Sequence, residues 1–408
     1  MKKELFVLLL FMQFFGFAQK EIKGIVLSEK KEPLEGASVF FNNTTVGDIT
    51  DVKGEFSLKT KEGKYSLIIA YLGYKTVQYE ITITKDSPNK ILKFILLPED
   101  DLLDEVVVDA NKKRRSSREK YYDFNRFKRS FLGTANFSKS CKIENPEVLN
   151  YYFDSEDNIF SVEAEQPIII TNKALGYKIY YTLEKFEQSR KRSEYLGYTR
   201  YEELKGSKRK KRKWAKNRLI AYNGSRMHFL RSLDRANTKE EGFIIDQFAR
   251  IPNKKYPTKE EKAFVRKIFK MYMDNNSPIN LRKKITKPES KLDSALLINR
   301  RLNQKKVIDS LMRKDINYSD ITFKIQGKTF LKFNDILKIT YTKEKEEYGF
   351  RPGKARLDRQ ESNLFVFEKP EQIHHYGEFS NPSNHLVEGY WAYELFANTL
   401  PLDYEPKK

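Results

Sequence analysis

Between Glu21 and Pro98 the chain breaks into seven short runs rich in aliphatic, β-branched and aromatic residues, punctuated by Gly, Asn, Asp and Pro. They are Glu21 to Ser28, Ala37 to Phe41, Asp48 to Thr50, Glu55 to Lys59, Tyr65 to Tyr71, Thr76 to Thr84 and Ile91 to Leu97. Segments so short can bury an apolar face only by pairing into facing layers, so a seven-stranded antiparallel β-sandwich is expected over residues 20–98. The punctuation has mechanical causes. Pro33 presets φ for a turn, and Asp51-Val52-Lys53-Gly54 offers a tight reversal ending on the residue that tolerates positive φ. Tyr65 to Leu72 is almost continuously apolar, as expected of a central strand covered on both faces.

Ahead of this stretch, residues 1–18 join a basic start (Lys2, Lys3) to an apolar run from Leu5 to Phe17 and a small residue, Ala18. That is the pattern of an export leader, so the mature chain is expected in the periplasm or at the outer membrane. No later run approaches the ~18 apolar residues a spanning helix needs. One cysteine, Cys141, precludes an internal disulfide, and four histidines are too few for a His-rich metal protein.

Gly24-Ile25-Val26, Pro33 to Val39, Thr50 to Phe56, Leu72 to Tyr74 and Leu103 to Val108 together resemble the carboxypeptidase-regulatory-like domain. The resemblance implies a transthyretin-like sandwich of the kind found in exported Bacteroidetes proteins and at the front of their TonB-dependent receptors. It implies a fold and a compartment rather than a reaction. In such receptors a plug and a large barrel follow. Here about 300 residues follow, with strong helical patterns and no serial alternating strands, so a transmembrane barrel is not expected. Tyr222 to Leu233, Phe131 to Gly133, Asn145-Pro146, Ala174 to Tyr177 and Leu400 to Pro406 resemble the C-terminal region of uncharacterised Bacteroidetes proteins with the same front domain, which implies no activity.

Charge divides the chain. The formal net charge is +21, yet residues 20–109 hold 12 Lys, no Arg and 16 Asp+Glu, a net −4. The remainder from residue 110 therefore carries +24, after one net positive charge in the leader. A pI near 9.5 would ordinarily suggest nucleic acid, but export removes that partner. Residues 99–120 pass from an acidic stretch to Lys112, Lys113, Arg114, Arg115 and Arg118, and are expected to be a linker.

Residues 121–408 are expected to form a basic α+β domain. Ser117 can cap a helix carrying Tyr121, Phe124, Phe127, Phe131 and Leu132 and ending at Gly133. Strands are expected at Val148 to Phe153, Ile159 to Glu163, Ile168 to Thr171, Tyr177 to Phe186 and in the tyrosine-rich tract Ser193 to Leu204. Ser225 reads as a helix N-cap, and Thr258 with Glu261 as a capping box for a helix through Met273. Helical character is expected again from Asp293 to Met312, then strands from Ile321 to Thr342 around a Gln326-Gly327-Lys328 turn, and another strand from Asn363 to Glu368.

No complete catalytic set emerges. His375 and Glu378 have the spacing of a zinc-binding pair, with His385 as a third candidate ligand, but two adjacent histidines in a polar Gly/Asn/Pro-rich loop ordinarily make a solvated turn. Gly327-Lys328-Thr329 lacks the upstream glycine of a P-loop and lies between strands. Asn223 to Met227 lacks the second glycine of a nucleophile elbow. Cys141 has no histidine nearby in sequence and is expected to be a packed thiol. Lys208, Arg209, Lys210, Lys211, Arg212 and Lys213 form an unbroken basic block, either a solvated face or a contact for lipopolysaccharide, phospholipid headgroups or acidic glycan. The expected protein is thus an exported, non-catalytic binding or assembly module without cofactor, with an envelope protein or an anionic envelope surface as partner. The alternative is a hydrolase with its site in residues 120–408.

Overall fold

The computed structural model describes residues 20–87, 91–99, 117–190 and 192–407. The expected leader, most of the expected linker and the Leu103 to Val108 motif lie outside the described residues. The first seven strands are β1 (Lys20–Ser28), β2 (Ser38–Phe41), β3 (Gly47–Ile49), β4 (Glu55–Thr60), β5 (Gly63–Ala70), β6 (Val77–Ile83) and β7 (Ile91–Leu96). They form two sheets, ordered β4-β1-β7 and β3-β2-β5-β6. One pairing departs from the expected antiparallel pattern. β1 and β7 run parallel, from Lys23 opposite Ile91 to Ser28 opposite Leu96. The last strand returns from the other sheet, so no hairpin fixes its direction.

Between the sheets lie Val26, Val39, Phe41, Leu58, Leu67, Ile69 and Leu96, all inaccessible or nearly so. Strict alternation in Glu55–Thr60 places Phe56, Leu58 and Thr60 inward. In β5 the neighbours Leu67, Ile68 and Ile69 are all buried, so this central strand is covered on both faces as its apolar run implied. The reversal at Asp51 closes on Gly54 at φ +74°, where a Cβ would sit 2.5 Å from the Val26 carbonyl oxygen, so glycine is required.

After residue 117 come α1 (Ser117–Leu132), β8 (Cys141–Ile143), β9 (Leu149–Asp154), β10 (Ile159–Ala164), β11 (Ile168–Asn172), β12 (Tyr177–Gln188) and β13 (Ser193–Glu203). These strands make one sheet, β8-β11-β12-β10-β9, with β13 also beside β12. The aromatic stripe of α1 packs onto it. The ring of Phe127 meets Phe186 at 4.9 Å and that of Phe131 meets Tyr181 at 5.0 Å. The final four residues of the expected linker are thus helical.

Further along are α2 (Lys208–Tyr222), α3 (Arg226–Asp234), α4 (Thr238–Glu241), β14 (Phe243–Pro252), α5 (Lys259–Asp274), α6 (Lys291–Arg301), β15 (Val307–Arg313), β16 (Thr322–Ile325), β17 (Lys328–Leu331), β18 (Ile336–Lys345), β19 (Arg359–Val366), β20 (Glu371–His374), β21 (Glu378–Phe379), β22 (His385–Gly389) and α7 (Tyr390–Glu394). They supply two more sheets, β15-β14-β18-β19-β22 and β16-β17-β20-β21. The capping box at α5 closes reciprocally: Glu261 N–H donates to Thr258 Oγ1 at 3.2 Å, and Thr258 N–H to Glu261 Oε2 at 2.9 Å. The expected helix over Asp293 to Met312 is corrected. It ends at Arg301, and Val307–Arg313 is a strand because the outer half of β14 offers it a ladder from Pro252 opposite Val307 to Gln247 opposite Arg313.

The region after residue 120 encloses three apolar cores. One is built around Phe131, Ile170, Ile179 and Phe396, a second around Phe229, Phe243, Leu337 and Leu364, and a small third around Val265, Ile268 and Ala295. Among the described residues no helix is long and apolar enough to cross a membrane.

Candidate functional site

The sandwich docks on the rest of the chain through the turn between β2 and β3. Asn43 N–H donates to the Thr199 carbonyl at 2.7 Å, Tyr201 N–H to the Thr44 carbonyl at 2.9 Å and Leu402 N–H to the Asn43 carbonyl at 2.6 Å. Tyr376 O–H reaches the Lys64 carbonyl at 2.8 Å while its ring stacks on Tyr65. Strand-like backbone bonds of this kind satisfy groups that the turn would otherwise leave to water.

Charged side chains gather at this junction. Asn43 Nδ2 donates to Glu378 Oε1 at 2.8 Å, and the Arg226 guanidinium contacts His385 Nε2. Arg226 also lies near Tyr195 and Glu378, both of which favour its charge against the cost of burial. Arginine can only donate, so His385 accepts at Nε2 and carries its proton on Nδ1. That Nδ1 is buried and has no hydrogen-bond partner among the described residues. Burial first, and Arg226 second, hold the His385 pKa well below its usual range. Burial pushes Glu378 up to about 7 against the pull of Arg226 and the Asn43 amide. At neutral pH the junction therefore holds one fixed cation, one neutral imidazole and one carboxyl near its midpoint.

The three candidate metal ligands are not brought to one point. Glu378 and His385 both approach Arg226, whose cation repels a metal ion, while His375 is exposed and has Asp234, Arg231 and Glu405 as charged neighbours. Among the described residues no group of three or more His, Cys, Asp or Glu could hold a metal ion. The histidine segment is not a free loop either. His374 ends β20, its imidazole meets Ser380 Oγ at 2.9 Å, and burial lowers its pKa to about 4. The Gly327-Lys328-Thr329 segment is the β16–β17 hairpin. Burial pushes the Cys141 thiol up to about 12, so it supplies no thiolate at neutral pH.

Beneath the junction lies Arg231, which is 1% exposed. It donates to the carbonyls of Tyr376, Tyr404 and Leu402, each at 2.9 Å, binding the β20–β21 turn and the C-terminal segment to α3. Gly377, at φ +87°, lets that turn approach: a Cβ there would stand 2.5 Å from the Met227 carbonyl oxygen. Sequence reasoning passed over Arg226 and Arg231. The available signal was a charged residue inside a run, His228 to Leu233, that is buried throughout. Glu394 was passed over too. Burial with the nearby Glu347 carboxylate raises it to about 8.

Lys208, Arg209, Lys210, Lys211, Arg212 and Lys213 occupy the first half of α2, and all six are exposed. No acidic residue stands in the first turn, and none of the six has an acidic partner among the described residues. Six cations thus crowd the positive end of a helix dipole. The second half is anchored. Trp214 Nε1–H donates to the Lys173 carbonyl at 3.1 Å, and Arg218 lies 3.9 Å over the Tyr177 ring.

Comparison with known proteins bears on the sandwich. The family described as the CarboxypepD_reg-like domain matches residues 22–108. TonB-dependent receptor SusC of Bacteroides thetaiotaomicron is 34% identical over 100 residues, 24% of this chain and 9% of the receptor. TonB-dependent receptor P39 of Formosa agariphila is 33% identical over 91 residues, 22% of this chain and 8% of that receptor. The chain thus spans under a tenth of either relative's length. A solved DUF3823 family protein from Bacteroides ovatus shows 10% identity over 46% of this chain and 83% of that one, at a TM-score of 0.17. Residues 22–108 therefore match the CarboxypepD_reg-like domain and are similar to a segment of TonB-dependent receptors.

Proposed function

We propose that this is an exported binding or assembly protein of the bacterial cell envelope, periplasmic or outer-membrane associated, in which the sandwich is an interaction module rather than an accessory to catalysis. The observation that carries this is the engagement of Glu378 and His385, the most chemically suggestive pair in the sequence, by Arg226 and Asn43 at the seam where the sandwich docks. Groups so employed hold two parts of a protein together. The export leader and the TonB-dependent relatives support the compartment. The exposed hexad Lys208 to Lys213 supports an anionic envelope component, or an acidic face of an envelope protein, as partner.

In vivo crosslinking from position 208 or 211 tests this reading and is expected to trap an envelope component. Turnover of a peptide or glycan by the purified mature protein, abolished by one side-chain substitution, would overturn it. One observation favours the hydrolase alternative: Glu394, raised to about 8, sits near Glu347, whose carboxylate accepts from Tyr393 O–H at 3.0 Å. Two carboxyl groups close together, one of them raised by burial, are the parts from which a general acid and base are made. Loss of such turnover in Glu394→Gln would establish that alternative.

A further inference from the structure

Residues 253–306 leave the five-stranded sheet between β14 and β15 as a separate helical lobe. Its own small core, Val265, Ile268 and Ala295 with Phe264, Tyr272 and Leu292 against them, holds α5 to α6 and is distinct from the other cores. The lobe contains 16 Lys+Arg and 5 Asp+Glu, a net +11, which is almost half the excess of the basic region in 54 residues. Its ion pairs are few: Arg301 with Glu261 and Lys283 with Asp293.

Between α5 and the end of α6 a pocket of about 420 Å³ opens, lined by Val265, Phe269, Met273 and Leu302 and by Lys262, Arg266 and Lys270. The cations recur every fourth residue and Phe269 precedes Met273 by four, so charge and apolar surface share one stripe of the helix. None of these three cations has an acidic partner among the described residues. Lys262 Nζ lies 4.6 Å over the Tyr256 ring and Arg266 Nε approaches the Lys262 carbonyl at 3.4 Å. Met273 is 68% exposed. A large apolar side chain left in water beside unpaired cations, over an apolar floor, is matched by a surface that offers negative charge and hydrocarbon together.

We propose that the α5–α6 lobe docks on an anionic phospholipid leaflet, with Lys262, Arg266 and Lys270 at the headgroup phosphates and Met273, Phe269 and Leu302 receiving acyl hydrocarbon. An acidic protein would satisfy the cations but leave the apolar floor unused, so charge complementarity with amphipathicity favours lipid. The site is separate from Lys208 to Lys213 and stands whether or not the protein proves to be an enzyme.

The test is co-sedimentation of the whole mature protein with phosphatidylcholine vesicles, with and without phosphatidylglycerol. Binding is expected only with phosphatidylglycerol. Lys262→Gln/Arg266→Gln/Lys270→Gln is expected to weaken it at least tenfold, since each cation near such a surface contributes about fivefold. Met273→Ser is expected to weaken it several-fold, at high salt as well as low, because apolar insertion is not screened. All four positions line the pocket, and circular dichroism checks that the fold is kept. Cys141 is buried, so a polarity-sensitive dye on Met273→Cys reports this face alone and is expected to shift to the blue with anionic vesicles. Absence of binding, binding unchanged in either variant, no dye shift, or loss only when Lys208 to Lys213 are neutralised would each overturn the proposal. Retention on an acidic polypeptide but not on vesicles would overturn it in favour of a protein partner.

Discussion

The sandwich and the region after residue 120 are held by different means. Residues 20–109 have a net charge of −4, and the sandwich has a core made almost wholly of aliphatic and aromatic residues set by strand alternation. The basic region has three apolar cores, but its parts are joined through buried polar groups: Arg231 on three carbonyls, and His228 between the Gly224 N–H and Glu241. The first design tolerates any residues of the right volume. The second depends on particular donors and acceptors, because each would be left unsatisfied in a dry interior if its partner were lost.

The largest effect should come from Arg231→Met, which keeps much of the volume and removes the donors. Urea denaturation is expected to show a loss of about 3–5 kcal/mol, and a loss below 1 kcal/mol would erase the contrast. Next, Gly377→Ala and Gly54→Ala should each cost about 2 kcal/mol, since both positions combine positive φ with a carbonyl oxygen 2.5 Å from the added Cβ. Equal costs would show that backbone geometry constrains the two regions alike and that only side-chain demands differ.

A pH dependence sharpens the comparison. Glu378 is raised to about 7 in the folded chain from an ordinary value of 4.5, so the stability it contributes is fully present at low pH and lost as pH rises through about 7. Glu378→Gln removes that loss and still accepts from Asn43. It is expected to stabilise by about 1–2 kcal/mol at pH 8 and to be neutral below the ordinary value of 4.5. His374 and His385 act in the opposite sense. Both are kept neutral, so their contribution is present above the ordinary value of 6.5 and lost as pH falls below it. The smallest effect is expected in the sandwich. Leu58→Met, a volume-conserving change at a 1% exposed position, should cost about 1 kcal/mol and leave the pH profile unchanged.

The legible parts of the fold were those governed by local period. All seven sandwich strands, the tyrosine-rich β12–β13 pair, the capping box of α5 and the Gln326-Gly327 hairpin lie where alternation, capping residues and turn residues placed them. The misjudged stretch, Val307 to Met312, has no local period of its own and is a strand because β14 lies beside it. The candidate site was legible only in its members. Glu378 and His385 could be singled out by residue type, but Arg226, from a segment some 150 residues earlier, decides that they face a guanidinium.

By itself, then, the sequence determined the sandwich, its class of relatives and the division of charge, because side-chain period, turn chemistry and composition are properties of neighbouring residues. The tertiary structure alone decided that β7 runs parallel to β1, that Arg231 is enclosed and that His385 is committed to the junction. Those outcomes depend on which distant segments come to share one desolvated space, where a polar group's partner, and not its neighbour in the chain, sets its charge and its role.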